Sequence, residues 1–311
     1  ARQFSPLKSG NPPEYVQEFM HLQAQAPPMG WPFVKRRMSA ELGPEWPSKF
    51  KSFEKEAVAA ASLGQVHKAT SLKGKALAIK LQYPKMENAV IADMKQLQLV
   101  FDLLSRFDKA IGTEEIVKEI EERLYEELDY LKEANHMRLY GKMLAGTKEV
   151  HVPTPDLALT TKHVLTMNWL TGKPLLTFKE APLDVRNKIA MNLFKAWYVP
   201  VYNYGIIHGD PHLGNYTITE NHELNLLDFG CVRIFPPRFI QGVIDLYHAL
   251  QRDDRDLAVS AYELWGFKNL SAEMIDVLNI WARFLYGPIL EDRARKIQER
   301  EEKGVYGRDI A

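Results

Sequence analysis

The chain has 311 residues, of which 46% are hydrophobic, 26% are charged and 11% are aromatic. That composition is typical of a folded protein of two lobes or domains, and it excludes disorder over most of the length. The 40 basic residues balance 40 acidic ones, which excludes a chain-wide positive surface, so we expect no nucleic-acid partner. The single cysteine, Cys231, excludes an intrachain disulfide and a cysteine zinc cluster.

The N-terminal stretch is rich in proline and has an amphipathic pattern. Tyr15, Phe19 and Leu22 recur at helical spacing, and residues 31–55 predict a short helix followed by a loop. We therefore expect residues 1–52 to form a helical extension that packs on a larger body as part of its core. Two alternatives stay open, namely that its aromatic side chains cover a cleft or contact a membrane surface.

Strand patterns dominate the part of the chain that follows. Small residues from 57 to 69 end in an alternating stretch, and residues 76–82 have the pattern of a second hairpin strand. Two more strands are predicted over 152–160 and 162–169. These elements predict a β-containing N-lobe over residues 53–170.

Helical periodicity recurs along the rest of the chain. The predicted helices span residues 86–108, 113–145, 182–204, 236–252, 254–265 and 271–298. The last four follow a strong break at residues 171–174, so residues 171–311 are expected to form a mostly helical C-lobe. The predicted fold class is α+β, with two lobes and a hinge at residues 166–172.

Two short motifs in the second half indicate the chemistry. Residues 208–215 have the sequence His-Gly-Asp-Pro-His-Leu-Gly-Asn, and residues 226–230 are Leu-Leu-Asp-Phe-Gly. In kinase-type phosphoryl transfer, an aspartate placed as Asp210 orients the attacking hydroxyl and accepts its proton. An asparagine five residues later, here Asn215, and the aspartate of Asp-Phe-Gly, here Asp228, bind Mg²⁺, a hard cation that prefers oxygen ligands.

The same two motifs are open to a chance origin or to a zinc site. They could be unrelated turn sequences, but their order and the position of Asn215 together argue against chance. His208, Asp210 and His212 could instead hold zinc, because histidines at this spacing line one face of a strand. That alternative leaves Asn215 and Asp228 without a role, so we expect the two histidines to orient the loop backbone.

Lys80 ends the segment Ala-Leu-Ala-Ile-Lys, which matches the Val-Ala-Ile-Lys strand of kinases. A lysine there contacts the α- and β-phosphates of ATP, and a glutamate from a following helix holds it. Glu121 is the favoured partner, and Glu119 and Glu122 are competitors that spacing alone does not separate. Without the downstream motifs, an exposed strand lysine and a solvated helix acid would be the simpler interpretation.

An alanine-rich sequence stands where kinases carry a glycine-rich phosphate loop. The residues expected to contact nucleotide there are Ala59, Ala60, Ala61, Ser62, Gly64 and Gln65. Alanine carries a Cβ and resists positive φ, so this loop would be stiffer than a glycine loop. Local propensity favours an alanine-rich helix start about equally.

Three motifs in order carry a resemblance to a known family. They are Ala-Ala-Ala-Ser-Leu-Gly-Gln-Val-His at residues 59–67, Glu-Leu-Asp-Tyr with Glu-Ala-Asn within residues 127–135, and the pair of motifs within residues 208–230. From about residue 12 to about residue 265 the chain resembles the UbiB atypical kinase-like family, also called AarF or ADCK. The resemblance implies a bilobal protein-kinase-like fold, ATP and Mg²⁺ binding, a Lys80–Glu121 ion pair, and a role in ubiquinone biosynthesis or other isoprenoid-lipid metabolism.

The resemblance has one departure. Glu127 and Asp129 match the family's Glu-x-Asp motif, which lies near the active site with an N-terminal Lys-x-Gly-Gln element. This chain has no Lys-x-Gly-Gln, and residues 8–11, Lys-Ser-Gly-Asn, are a faint echo of it. Inhibition of protein phosphorylation by that element therefore does not simply carry over.

Adenine is expected to bind the strand that links the lobes, within residues 164–172. Met167 would guard the back of the pocket, and the backbones of Asn168 and Leu170 would offer an acceptor and a donor to the adenine edge. An ordinary buried strand is the alternative.

The substrate is expected to be something other than a protein. No Ala-Pro-Glu follows Asp228, so a standard platform for a protein substrate is not expected. We expect an ATP- and Mg²⁺-dependent kinase or ATPase of the UbiB type, with a quinone precursor or another lipid-like molecule as partner. The alternatives are a small-molecule phosphotransferase of the aminoglycoside or choline kinase kind, and a nucleotide-binding scaffold without turnover.

The expected location is the cytoplasm or the matrix side of an organelle. No apolar run reaches the roughly 18–20 residues that span a bilayer, so no transmembrane segment is expected within this chain. Peripheral contact with a membrane or with a biosynthetic complex stays open.

Overall fold

The computed structural model describes residues 28–61, 63–104 and 113–291, without the side chains of residues 103–104 and 113–115. The predicted N-terminal helix around Tyr15, the residue Ser62, and the end of the last predicted helix lie outside the described residues.

The chain divides into two compact units, residues 1–233 and 234–311. The lobe boundary predicted from the sequence is a different one, at the hinge over residues 166–172, and it stays a prediction. In the described part of the chain, no helix is both long enough and apolar enough to cross a membrane.

β-Strands form three sheets in the described residues. In chain order the strands are β1 (Phe50–Ala61), β2 (Gly64–Ser71), β3 (Ala76–Gln82), β4 (Val150–His151), β5 (Val164–Asn168), β6 (Lys173–Pro174), β7 (Ile206–His208), β8 (Tyr216–Ile218), β9 (Leu224–Leu226) and β10 (Val232–Ile234). An antiparallel sheet has the order β1-β2-β3-β5, a mixed sheet has the order β4-β9-β8-β6, and β7 pairs with β10. The hairpin predicted before and through Lys80 is confirmed.

The helices connect these sheets or follow them. In chain order they are α1 (Trp31–Leu42), α2 (Met86–Leu104), α3 (Thr113–Glu127), α4 (Tyr130–Met143), α5 (Leu183–Tyr204), α6 (Pro237–Arg252), α7 (Arg255–Leu264) and α8 (Ala272–Leu290). The helices predicted over 182–204, 236–252 and 254–265 are confirmed to within one residue at each end. The helix predicted over 113–145 is two helices, because Asp129 leaves the helical conformation with φ −108° and ψ 95°.

The strand predicted over residues 152–160 is wrong. The short strand β4 ends at His151, and residues 157–159 form a 3₁₀ turn. Pro153 and Pro155 have no N–H to donate to a sheet, which excludes a regular inner strand. The segment keeps one isolated bridge, between Pro155 and Met167.

The alternation of side chains along β3 decides which of them reach the site. Leu77, Ile79 and Leu81 belong to a buried cluster with the aromatic residues of α1 and of the turn that follows it. Ala78 belongs instead to the cluster that holds α4. Since side chains alternate between the two faces of a strand, Lys80 lies on the same face as Ala78, toward α4.

The second unit contains α6, α7 and α8, which pack on a small core of leucine, alanine and tyrosine side chains. The Tyr262 hydroxyl donates to Oδ1 of Asn279 at 2.8 Å, and the Trp265 indole N–H donates to the carbonyl of Phe239 at 3.0 Å. The first bond joins α7 to α8, and the second joins the residue that follows α7 to α6, so together they tie α7 to both helices.

Candidate active site

Three elements bring a buried cation and two carboxylates together. Lys80 comes from β3, Glu133 from the first turn of α4, and Asp228 from the loop after β9. The Lys80 Nζ donates to both carboxylate oxygens of Glu133 at 2.9 Å and to Oδ2 of Asp228 at 3.0 Å. It also lies 5.1 Å from the ring centroid of Tyr130. Two carboxylates that follow Lys80 by 53 and 148 positions in the chain therefore meet at one ammonium group.

The expected ion pair between Lys80 and Glu121 is wrong. Glu121 is exposed on α3, and the Lys80 ammonium is committed to Glu133 and Asp228. The break at Asp129 separates α3 from α4, and α4 packs against β5 and the core that contains Ala78. Glu133 therefore reaches the lysine and Glu121 stays in solvent.

Burial acts on all three charged groups of this cluster. It raises the pKa of Glu133 to about 7, although the Lys80 ammonium acts in the opposite direction. Burial opposes the charge of Lys80, but Asp228 and Glu133 outweigh it and raise the pKa of Lys80 well above its ordinary value. Burial also acts to raise the pKa of Asp228, but Lys80 outweighs it and holds that pKa below its usual value. At neutral pH, Lys80 and Asp228 are charged and Glu133 is the member that titrates.

The backbone of the Asp-Phe-Gly segment is held from several directions. The His208 Nε2–H donates to the carbonyl of Asp228 at 2.5 Å, and the His136 Nδ1–H donates to the carbonyl of Phe229 at 3.1 Å. The backbone N–H of Gly230 donates to Oδ1 of Asp228 at 2.9 Å. The Phe229 side chain is fully buried. These contacts place the Asp228 carboxylate at the lysine.

The loop after β7 brings Asp210 and Asn215 together. The Asn215 Nδ2 donates to Oδ2 of Asp210 at 2.9 Å and to its carbonyl at 3.3 Å, and the backbone N–H of His212 donates to Oδ1 of Asp210 at 3.2 Å. The backbone N–H of Leu227 donates to the carbonyl of Asn215 at 3.0 Å. Asn215 therefore lies beside the residue that precedes Asp228, as the motif spacing predicts.

The two histidines of the first motif bind backbone groups, His208 in the Asp-Phe-Gly segment and His212 in its own loop. His208 Nε2 is used by the Asp228 carbonyl, and His212 Nδ1 accepts from the backbone N–H of Gly214 at 3.1 Å. Among the described residues, no group of three or more His, Cys, Asp and Glu side chains is arranged to hold a metal by itself. The zinc alternative has no support in this geometry.

A nucleotide-bound Mg²⁺ needs fewer protein ligands than a metal held by protein alone, and these residues can supply them. Mg²⁺ commonly uses one or two protein oxygens, with waters and phosphate oxygens supplying the rest. Because the amide nitrogen of Asn215 faces Asp210, its Oδ1 is left as an acceptor. The Asp228 side chain is 25% exposed, and its pKa is held below the usual value, so it offers a charged carboxylate at a partly open position. Asn215 and Asp228 are the residues that would hold the cation.

The alanine-rich sequence forms the end of a hairpin, not a helix. Ala59, Ala60 and Ala61 are the last residues of β1, and Ala61 pairs with Gly64 across the turn. Gly64 has no room for a side chain, since a Cβ would lie 2.1 Å from the carbonyl oxygen of Leu81. Contact of this hairpin with phosphate stays a prediction, and Ser62 lies outside the described residues.

The side chain of Gln65 is not available to a nucleotide, and contact through its backbone stays a prediction. The side chain is fully buried; its Oε1 accepts from the backbone N–H of Met29 at 2.7 Å and its Nε2 donates to the Met29 carbonyl at 3.0 Å. The same Nε2 donates to His67 Nε2 at 2.8 Å, because His67 Nδ1–H is used by the carbonyl of Glu54 at 3.0 Å. Gln65 therefore fixes the chain that enters α1.

The two acidic residues of the Glu-x-Asp motif have different surroundings. Burial raises the pKa of Glu127 and the charge of Asp228 raises it further, while Lys80 opposes both. Glu127 therefore lies within electrostatic reach of the lysine cluster. The carboxylate of Asp129 instead accepts from the backbone N–H groups of Leu131 and Lys132, at 2.9 and 3.2 Å, and caps α4.

The predicted hinge residues lie at the end of β5. Met167 is buried opposite Ala78 of β3, and Asn168 pairs with Leu77. The side chain of Asn168 accepts from the backbone N–H of Thr154 at 2.5 Å. Leu170 follows the strand and is half-buried. Adenine binding by Met167, Asn168 and Leu170 stays a prediction.

The sequence pattern did not single out Glu133 and His136 as site residues. Glu133 stands in the quoted Glu-Ala-Asn segment, and with Met137 and Tyr140 it forms a buried face of α4 at the spacing i, i+4 and i+7. A glutamate that continues an otherwise apolar face is a signal for a buried ion pair. His136 carried no comparable signal.

Comparison with known proteins shows which protein family the chain resembles. Residues 21–262 match the ABC1 atypical kinase-like domain. The probable serine/threonine-protein kinase abkA of Dictyostelium discoideum is 30% identical, over 74% of this chain and 43% of its own length. The mitochondrial atypical kinase coq-8 of Caenorhabditis elegans is 29% identical, over 82% of this chain and 35% of its own length. The chain spans less than half the length of these curated relatives.

The chain is also similar to solved structures. The structure described as the complex of Rv3197 with erythromycin, from Mycobacterium tuberculosis, superposes with a TM-score of 0.66 at 26% identity, covering 91% of this chain and 76% of that one. The chain belongs to the ABC1 atypical kinase-like family, and the resemblance to the UbiB and ADCK proteins is confirmed. Its α+β kinase-like fold is confirmed with it.

Proposed function

We propose that the chain binds ATP with Mg²⁺ and transfers or hydrolyses the terminal phosphoryl group. The observation that carries this proposal is the buried contact of Lys80 with both Glu133 and Asp228. Desolvating three charges is costly, and a structural core would be served as well by apolar side chains. In kinase-type sites a lysine held by a glutamate contacts the phosphates, and the aspartate of Asp-Phe-Gly binds Mg²⁺.

Each residue has a role that follows from its contacts. Lys80, held by Glu133, offers its ammonium to phosphate oxygens. Asp228 and Asn215 would hold Mg²⁺, which neutralises phosphate charge when bound. Asp210, with its carboxylate fixed by Asn215 and by the backbone of His212, orients the attacking hydroxyl and accepts its proton.

The acceptor is proposed from the family and from the segment after Gly230. Strand β10 and helix α6 follow that glycine within seven residues, so a long activation segment of the protein-kinase type is not present there. This favours a small or lipid-like acceptor, such as a quinone precursor, or ATP hydrolysis alone. We further propose an organelle as the location, because the coq-8 relative is mitochondrial.

Thermal stabilisation by ATP, with and without Mg²⁺, tests the proposal. Wild type should gain stability in a Mg²⁺-dependent way, by about 2.7 kcal/mol at a nucleotide concentration near 100 Kd. Lys80→Met should lose most of this gain. Lys75→Met, an exposed lysine in the turn before β3, is the matched control and should behave as wild type. Equal stabilisation of the Lys80 and Lys75 variants, or none of wild type, would contradict the proposal.

A further inference from the structure

Three residues of helix α4 contact Phe229. The Phe229 backbone N–H donates to Oε1 of Glu133 at 3.4 Å, and the Phe229 carbonyl accepts from Nδ1 of His136 at 3.1 Å. The rings of Phe229 and Tyr140 lie 5.3 Å apart. Since Glu133, His136 and Tyr140 are at i, i+3 and i+7, one face of α4 makes all three contacts.

The His136 contact reaches the Asp228 carboxylate through a single peptide group. The carbonyl that accepts from His136 belongs to the peptide between Phe229 and Gly230, and the N–H of that same peptide donates to Oδ1 of Asp228 at 2.9 Å. In a planar trans peptide the C=O and N–H point in opposite directions. Holding the oxygen therefore aims the N–H at the carboxylate.

The other oxygen of Asp228 accepts from Lys80 at 3.0 Å. The carboxylate is thus held on one side by the lysine and on the other by the peptide that His136 orients. Two hydrogen bonds in series through one peptide also polarise each other.

We propose that His136 is a positioning residue, which fixes the Phe229–Gly230 peptide so that the Asp228 carboxylate keeps the orientation for Mg²⁺. The proposal rests on the proposed function for the identity of the cation. In this role His136 would act through that peptide and not by contact with nucleotide or metal.

The ring nitrogen of His136 that donates determines which substitutions test the positioning role. A carbonyl accepts only, so Nδ1 carries the hydrogen. The Nδ2 of an asparagine occupies nearly the position of a histidine Nδ1, while the longer glutamine places its amide near Nε2. His136→Asn should therefore preserve the contact, and His136→Gln and His136→Leu should lose it. Asn135→Ala, at an exposed neighbour on α4, is the control.

The first readout is the Mg²⁺ concentration that gives half-maximal ATP binding. We expect it to rise about tenfold in the Leu and Gln variants, the size expected when a buried acceptor loses its donor. It should stay near wild type in the Asn and control variants, and Mg²⁺-free ATP affinity should be unchanged in all four. A merely structural role would lower stability without changing this Mg²⁺ dependence.

The second readout is hydrogen exchange of peptides covering residues 226–232 in the protein without nucleotide. Exchange should be faster in the Gln variant than in the Asn variant, which have similar polarity and therefore a comparable effect on folding. Equal exchange and equal Mg²⁺ dependence in these two variants would overturn the proposal. If wild type shows no Mg²⁺-dependent binding, the proposed function fails, and the exchange comparison still decides the role of His136.

Discussion

The ammonium of Lys80 lies 2.9 Å from both carboxylate oxygens of Glu133, and the two residues are 5% and 2% exposed. The pair joins the central part of the sheet to helix α4, and Asp228 completes it from a third element. An ion pair this deeply buried contributes little to stability, because desolvation offsets most of the attraction. Its value lies in presenting a charged amine at a fixed place.

Glu133→Gln should weaken ATP binding by about tenfold or more. Glutamine keeps an oxygen for the Lys80 ammonium but has no charge, so the lysine is held less firmly where it would meet phosphate, and Asp228 compensates only in part. Titration calorimetry with Mg-ATP measures the change. Glu121→Gln, at the exposed position that the sequence favoured, should bind ATP as wild type does. Reversed effects of the two substitutions would show that the lysine has a different partner during binding.

Turnover should fall as the pH is lowered through about 7, the pKa of Glu133 in the folded protein. Protonated Glu133 holds Lys80 less firmly. The contribution of Glu133 to stability depends on pH in the opposite direction. Because burial raises this pKa above the ordinary 4.5, the contribution of Glu133 to the free energy of unfolding is fully present below pH 4.5 and is lost as the pH rises to about 7.

A pH profile of Mg-ATP turnover checks this prediction. The wild-type rate should decline on the acid side of neutrality, and Glu133→Gln, which cannot titrate, should give a lower but flatter profile over the same range. The assignment would be refuted by an acid limb that is identical in the two proteins.

Gly64→Ala should destabilise the protein by about 1–3 kcal/mol, the usual cost of forcing extra atoms into a packed site. A Cβ at Gly64 would lie 2.1 Å from the carbonyl oxygen and 2.9 Å from the carbonyl carbon of Leu81, so β2 and β3 would have to separate. Gly146→Ala is the matched control, since nothing lies within 4 Å of a Cβ there. Denaturant unfolding measures both, and an unchanged midpoint in the Gly64 variant would contradict the close approach of the strands.

Asp129 should behave as a helix cap and not as a catalytic acid. Asp129→Ala should lower the free energy of unfolding by about 1 kcal/mol, because two backbone N–H groups of α4 lose their acceptor. Asp129→Asn keeps an oxygen at the cap and should retain both stability and turnover. An Asn variant that folds normally but loses turnover would show that the charge of Asp129 is used at the active site.

Local pattern was enough to predict many of the elements. The strand that carries Lys80 and the helix α5 have the apolar spacing of their structures over seven or more residues. The contact between Lys80 and Asp228 was also predictable from the sequence, because the order and spacing of kinase-type motifs define a shared geometry. The strand predicted over 152–160 failed because Pro153 and Pro155 remove donors that a ladder needs.

The partner of Lys80 and the role of Gln65 were not predictable in the same way. Both depend on how separate elements pack. Glu133 is selected because the face of α4 that carries Met137 and Tyr140 is buried against Phe229, which no local propensity encodes. Gln65 is turned away from the turn of the hairpin by the backbone of Met29, 36 residues earlier.

Phosphate release and phosphotransfer by wild type and by Asp210→Asn, in Mg-ATP, test the central claim most directly. We predict that wild type turns over, and that the variant binds Mg-ATP with nearly the same affinity but turns over at least 100-fold more slowly, in line with the roughly 10²–10⁴-fold contribution of a general base. Equal rates in the two proteins, or tight binding without turnover in wild type, would contradict an enzyme built on this site and favour a nucleotide-binding scaffold.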